Sequence, residues 1–377
     1  MAIKLFLACP GLGRVNRGYE SFARELTEAL AQSPEVDVTV YKGGGEREPK
    51  SFRVWNLPRD GRLANLVGDK LGRSAYFIEE VTFFLAFAPR LLLGRPDVVL
   101  TSDLGVAKLM WFFRKITRGK YKLLFSNGGP IYPPFRKCDH QHQVAPTHYD
   151  AALQDGLPVS SQTLLPYGVQ MTTIAPILSR VDQQKLRREL NLPTDRPIIL
   201  SVGTLDKGHK RMDYTVREVA ALPTPRPFLL LLGHRGPDTP EIEALGRELL
   251  GDDFDVRSVP HPEVTKYYQA ADVFVLSSVF EGLARVFLEA LSHGLPPLVH
   301  DYDITRYAFE DLGYYGDFKQ AGSLTNLLQR VLDEENKSSE DDNRARREAR
   351  FQSAYRRFSW QSLRAQYIAM IERTLKS

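Results

Sequence analysis

Cysteine is nearly absent: the 377 residues hold two, Cys9 and Cys138. With no pairing pattern and no metal spacing, they fit a reducing compartment and read as buried or incidental thiols. Long apolar runs are also lacking. The longest, VTFFLAFA at residues 81–88, is stopped by Pro89 and Arg90, far short of the ~20 residues a spanning helix requires. The opening MAIKLFLACPG leads from a short apolar run into a glycine turn rather than a small-residue cleavage site, so it reads as a strand and not a signal peptide. A cytoplasmic protein is expected. A complete metal-ligand set is missing too. Asp139, His140 and His142, with His148 nearby, superficially suggest one, but no carboxylate or Cys at a convincing spacing completes it, and no metal is expected.

What is present begins with length, which is enough for about two domains that each bury a core. The net charge of +4 is unevenly placed: residues 1–170 hold 22 Lys plus Arg against 16 Asp plus Glu, and the remainder 28 against 30. The basic half contains residues 108–122, KLMWFFRKITRGKYK, which open at Lys108, close at Lys122 and include Trp111, Phe112 and Phe113 but no acid. Such a segment can rest on anionic lipid headgroups. It reads equally as a helix that buries its aromatics and leaves its cations in water. No nucleic-acid motif accompanies it, and nucleic acid is not expected as a partner.

Residues 3–8 form an apolar run, followed by the glycine loop GLGRVNRG (residues 11–18) and an amphipathic helix over about 19–31. Strand, glycine loop and helix make the opening unit of a doubly wound sheet. Gly13 and its neighbours would let backbone amides approach a phosphate or a sugar, although the spacing is neither the dinucleotide fingerprint nor a Walker loop. Further strands are expected at 36–41, 52–57, 97–101 and 121–126, separated by helical stretches, which argues for a mostly parallel sheet. The strand LLFSNGGP (residues 123–130) ends in Asn127, a group that can donate to a sugar hydroxyl or simply open a turn.

The pattern restarts after a charged helical stretch at 178–192. PIILSV (residues 197–202) reads as a new first strand, with GTLDKGHKRMD after it and later strands at 228–232, 254–258, 273–276 and 298–299. Two α/β units of one kind are therefore expected. Asp301-Tyr302-Asp303 reads as a loop. In residues 277–301, SSVFEGLARVFLEALSHGLPPLVHD, Glu281 and Glu289 stand eight positions apart. With a helix starting near Ala284, one small polar ligand could touch both. Alternatively Glu281 complements the helix dipole and Glu289 is a solvated helix residue.

This stretch, with its EG start, LEA and GLP, resembles the Glu, seven residues, Glu motif of family 4 of the retaining glycosyltransferases. LLPYGV (residues 164–169) and FSW (residues 358–360) resemble that family's closing phrases. The resemblance covers almost the whole chain and is strongest over 164–301. It implies the GT-B fold: two Rossmann-like doubly wound parallel-sheet domains facing across a cleft. Residues 1–172 would bind the acceptor, with the helix of 358–377 packing back on them, and 173–357 the nucleotide-sugar donor.

The implied reaction moves a sugar from a nucleoside diphosphate to an acceptor hydroxyl with retention, without cofactor or metal. The acceptor would be a saccharide or a lipid-linked glycan in polysaccharide or cell-envelope synthesis. By the resemblance Lys210 supplies positive charge near the leaving phosphate, and Glu281 holds hydroxyls of the donor sugar. Glu289 would accept from the ribose, while Gly203, Gly282, Leu283 and Arg285 supply backbone at the donor.

Three positions depart from the family pattern. Thr204 stands where an Arg is usual, leaving Lys207 or Arg211 as substitutes. Ala284 replaces a glycine, and Asn127 holds the position of a His. Two competing readings follow: a nucleotide-sugar epimerase or phosphorylase of the same fold, and an inactive nucleotide-sugar-binding protein.

Overall fold

The first apolar run becomes β1 (Ile3–Cys9), buried at its carboxyl end because parallel strands are covered on both faces. In this computed structural model, which describes residues 2–15, 18–129 and 134–377, the chain divides into two units. One is Met1–Gln170 with Phe358–Ser377, the other Met171–Arg357.

The first unit adds β2 (Val36–Lys42), β3 (Ser51–Arg53), β4 (Val98–Thr101), β5 (Lys122–Asn127), β6 (His140–Gln143) and β7 (Gln162–Leu164). All pair in parallel, in the order β3-β2-β1-β4-β5-β6-β7. The strand expected over 52–57 ends at Arg53. Val54 still donates to Lys42 O (2.7 Å), but Arg14 then draws the side chain of Asn56 into a loop contact (2.6 Å) and the chain leaves the sheet.

β6 is a strand that the sequence reading did not find. Its four residues, HQHQ, are all buried, so no apolar alternation marks it. Each side chain is hydrogen-bonded, as buried polar groups must be. His140 meets Thr163 Oγ1 (2.8 Å), Gln141 donates to Phe135 O (2.8 Å), His142 meets Ser126 Oγ (2.9 Å) and Leu165 O (2.7 Å), and Gln143 donates to Gln141 Oε1 (2.9 Å). Burial lowers both imidazoles to about 4, so they stay neutral at pH 7. These histidines work as a ladder between strands, and among the described residues no cluster could hold a metal ion.

The tail returns to this unit. Val169 donates to Phe358 O (2.8 Å), and Ser359 caps the helix Trp360–Lys376 by accepting from Ser362 N (3.2 Å). Trp360 Nε1 then donates to the buried Glu25 (3.0 Å), within an aromatic cluster of Phe22, Tyr167, Trp360 and Tyr367. Gly168 lies directly beneath the Trp360 ring, where any side chain would clash.

The second unit holds β8 (Ile198–Val202), β9 (Phe228–Leu232), β10 (Phe254–Arg257), β11 (Val273–Leu276), β12 (Pro297–His300) and β13 (Tyr314–Gly316). They too are all parallel, in the order β10-β9-β8-β11-β12-β13. β13 is short and half-buried, which hid it in the sequence. Asp303, expected in a loop, opens the helix Asp303–Phe309, since Thr305 Oγ1 accepts from Tyr302 N (3.3 Å) and begins the turn. In each sheet the winding direction reverses at two adjacent central strands: β1 and β4 in the first, β8 and β11 in the second. Ligands of open α/β sheets gather at the carboxyl ends of such strands.

Candidate functional site

In the second sheet the reversal point brings together two segments some seventy residues apart. Val202, the last residue of β8, leads into Gly203, Thr204 and the loop carrying Lys210. Leu276, the last of β11, leads into residues 277–284. The first loop is fastened by Asp206, whose Oδ1 accepts from His209 N (2.6 Å) and Lys210 N (2.8 Å). Gly203 lies beneath the Lys210 side chain, which crosses it so closely that a Cβ would press on it at 3.2 Å. Thr204 is exposed.

Lys210 reaches across to the other segment: its Nζ stands 2.5 Å from Glu281 Oε1, with both side chains largely out of water. His209 Nε2 approaches the same oxygen at 3.3 Å and meets Phe280 O at 2.9 Å. Glu281 is therefore not a helix cap. The helix Arg285–Ser292 starts from Ala284 with no side-chain cap, leaving its first amides uncommitted to one. Gly282 and Leu283 make the turn between carboxylate and helix, and Ser278 Oγ just before them is buried without a hydrogen-bond partner.

Glu289 lies one turn along that helix and is held from another direction. Tyr268 donates to Oε2 (3.0 Å), and His261 Nε2 stands 3.7 Å from Oε1, an ion-pair rather than a hydrogen-bond distance. Burial alone would raise this carboxyl. The His261 imidazole, the Arg285 charge and the Tyr268 hydroxyl outweigh it and hold it below the usual range, so Glu289 is ionised at pH 7. Asp206, His209, His261 and Tyr268 were not singled out in the sequence. Only the GTLDKGHK phrase could have pointed to the first two, and nothing local points to the others.

Of the two cations weighed as substitutes for the missing Arg, neither is idle. Arg211 sits in the left-handed region (φ 52°) and gives its guanidinium to Phe318 O (2.6 Å) and Ser277 O (3.4 Å). This ties the Lys210 loop to the end of β11. Lys207 pairs with Glu241 at the surface.

Asn127 and Gly13 belong to the first unit. Asn127 Nδ2 donates to Gln143 Oε1 (2.9 Å), extending the ladder on β6, while its buried Oδ1 has no partner. Gly13, at φ 83°, packs against the backbone of Gly44, which leaves no room for a Cβ. Asn16 and Arg17 of the glycine loop, and Pro130 beyond Asn127, lie outside the described residues.

The reversal point of the first sheet carries a buried acid cluster that the sequence did not reveal. Asp103 follows β4 and receives the Tyr76 hydroxyl. Glu80 accepts from Gly105 N (2.8 Å), and Arg59 serves Glu79 (2.5 Å) and, at 4.0 Å, Glu20.

Residues 182–350 match the family described as "Glycosyl transferases group 1". A D-inositol 3-phosphate glycosyltransferase from Xylanimonas cellulosilytica is 29% identical over 208 residues, 52% of this chain and 48% of that one. Across the curated relatives the match spans about a third to a half of their length. Sucrose-phosphate synthase from Thermosynechococcus elongatus superposes with a TM-score of 0.78 at 21% identity over 99% of both chains. Anabaena Alr3699/HepE, solved with UDP-glucose, does so with 0.73 at 14% over 99% of both. The fold is GT-B.

Proposed function

Since residues 182–350 match the group 1 glycosyl transferases, we propose that the chain is one of them and moves a sugar from a nucleoside diphosphate to an acceptor hydroxyl with retention. The observation that carries this reading is the Lys210–Glu281 pair at the reversal point of the second sheet. When the anomeric carbon to phosphate bond breaks, its electron pair stays on the diphosphate, and fixed positive charge there lowers the barrier. Lys210 supplies that charge, together with the helix amides after Ala284. Glu281, released from Lys210 by the competing diphosphate, accepts from donor sugar hydroxyls. Glu289, held ionised by its neighbours, accepts from the ribose.

The acceptor oxygen forms its new bond on the face the phosphate leaves, and its proton passes to the departing phosphate oxygen. Neither metal nor cofactor takes part. UDP is the first nucleotide to try, because Alr3699/HepE of the same fold was solved with UDP-glucose. The acceptor is a saccharide or lipid-linked glycan, met by the first unit in the cytoplasm.

The test is a thermal-shift panel with UDP, GDP, ADP and their sugars, on the parent and on Glu289→Ala. A nucleotide at 100 times its dissociation constant stabilises the parent by about 2.7 kcal/mol. The same concentration gives little shift in the variant, and EDTA leaves the parent's shift and turnover unchanged. A full shift in Glu289→Ala would remove the ribose role.

The helix Leu104–Thr117 leaves Phe112 half exposed and Ile116 81% exposed among its cations, so its aromatics are not all buried. We take it as a contact with anionic lipid. No helix among the described residues is long and apolar enough to cross a membrane. Sedimentation with anionic vesicles should fall on charge reversal at the exposed Lys115 and Arg118, Arg114 being held by Asp139. Unchanged sedimentation would discard the contact.

A further inference from the structure

The second unit holds a cavity of about 460 Å³ at the amino end of the edge strand β13, lined by Tyr314 and Tyr315. Lys210 and Glu281 instead follow the carboxyl ends of β8 and β11. Four arginines from three helices line the cavity: Arg306, Arg330, Arg346 and Arg350. Only two carboxylates, Asp311 and Glu334, line it with them.

The arginines are not equally paired. Arg306 holds Asp301 with both arms (2.7 and 2.7 Å) and lies 3.7 Å over the Tyr315 ring. Arg330 donates to Glu334 (2.9 Å), which also receives the Tyr314 hydroxyl (3.0 Å). Arg346 donates to Asn343, stands 3.7 Å from Glu335, and has a buried Nε with no partner. Arg350 is the exception. It is 3% exposed and its bonds are two long ones, to Leu312 O and Gly294 O (3.4 Å each). No carboxylate among the described residues lies within ion-pair distance of it. Burying a guanidinium is costly, and here only the charge of Glu335, acting from beyond ion-pair distance, offsets it.

We propose that this cavity binds a small phosphomonoester, its phosphate held by Arg350 and Arg346 with Arg330 at the rim. Guanidinium forks from two helices, Arg346 and Arg350 one turn apart on Glu340–Phe358 and Arg330 on Ser323–Lys337, suit a tetrahedral dianion better than one planar carboxylate. The volume exceeds that of inorganic phosphate and lies within the range for small-metabolite sites. The Tyr314 ring, 5.7 Å from Arg330 and 5.9 Å from Arg350, lines the cavity where the organic part would lie. Occupancy would fasten the helix Glu340–Phe358 to the edge strand.

The experiment is thermal unfolding with glycerol 3-phosphate, inorganic phosphate and glycerol, on the parent, Lys210→Ala, Arg330→Ala and Arg350→Gln. The donor site could also take an anion, so Lys210→Ala separates the two. Glycerol 3-phosphate at 100 times its dissociation constant should raise Tm by about 5 °C in the parent and in Lys210→Ala alike. Inorganic phosphate should act more weakly and glycerol not at all. Arg330→Ala should weaken binding about tenfold, and Arg350→Gln should abolish the shift. Should Arg350→Gln not fold, the rim variant decides, because Arg330 is 65% exposed and not needed for the core. No shift in the parent overturns the proposal. So does a shift lost in Lys210→Ala and kept in Arg330→Ala, which would place the anion at the diphosphate site.

Discussion

Lys210→Ala should lower turnover of the nucleoside diphosphate sugar by about 10²–10³-fold, the usual cost of removing one preorganised group from a developing negative charge. The same substitution strips Glu281 of its closest counter-charge, the Nζ at 2.5 Å. Breaking a buried pair from one side costs roughly 3–5 kcal/mol. His209 at 3.3 Å offsets part of that. Lost stability and lost chemistry would therefore arrive together in the single variant. The double variant Lys210→Met with Glu281→Gln separates them, because no unpaired charge then remains. Its urea midpoint should return close to the parent's while turnover rises no higher than that of Lys210→Ala, since Glu281's hold on the donor sugar is lost as well. A Lys210→Ala protein that turns over within about threefold of the parent would show that no leaving-group charge is met by this lysine.

The second large effect is on stability and depends on pH. Asp103 is buried after β4, and its carboxyl is pushed up to about 7. Burial is the main cause, the Tyr76 hydroxyl works against it, and Glu80 and Glu20 add to it. An unfolded aspartate loses its proton near 3.8, so between the two values the folded protein holds a proton that the unfolded chain has released. Stability must then fall as pH rises from about 4 to about 7, with nothing further lost above. The shift corresponds to about 4 kcal/mol.

Asp103→Asn keeps the shape and the acceptor for Tyr76 but cannot ionise. Relative to the parent it should gain most of that amount between pH 4 and pH 8. Hydrogen exchange of the β1 and β4 amides measures it inside the first unit. Parallel pH profiles in parent and variant would mean that Asp103 is ionised in the folded state throughout.

Strands β1, β8, β9 and β11 could be located from the chain alone, because a strand covered on both faces must be a continuous apolar run. The restart at Pro197 revealed two sheets for the same reason. Glu281 and Glu289 were legible as candidates from their spacing about one short helix, and Lys210 only through the resemblance of its phrase to the family's.

The identity of each partner was not. That Lys210 meets Glu281, that Arg211 spends its charge on carbonyls, and that Tyr268 and His261 hold Glu289 all depend on contacts between segments far apart in sequence. β6 escaped because its interior is polar and is satisfied only by neighbours on β5, β7 and the loops around them. The acid cluster at Asp103 and the arginines around Tyr314 escaped because charged residues read as surface until the fold removes the water around them. Periodicity and turn chemistry are written locally and determined the two sheets. Burial of charge is set by what the fold lays over it, so only the tertiary structure decided which carboxylates and guanidiniums lack a counter-charge.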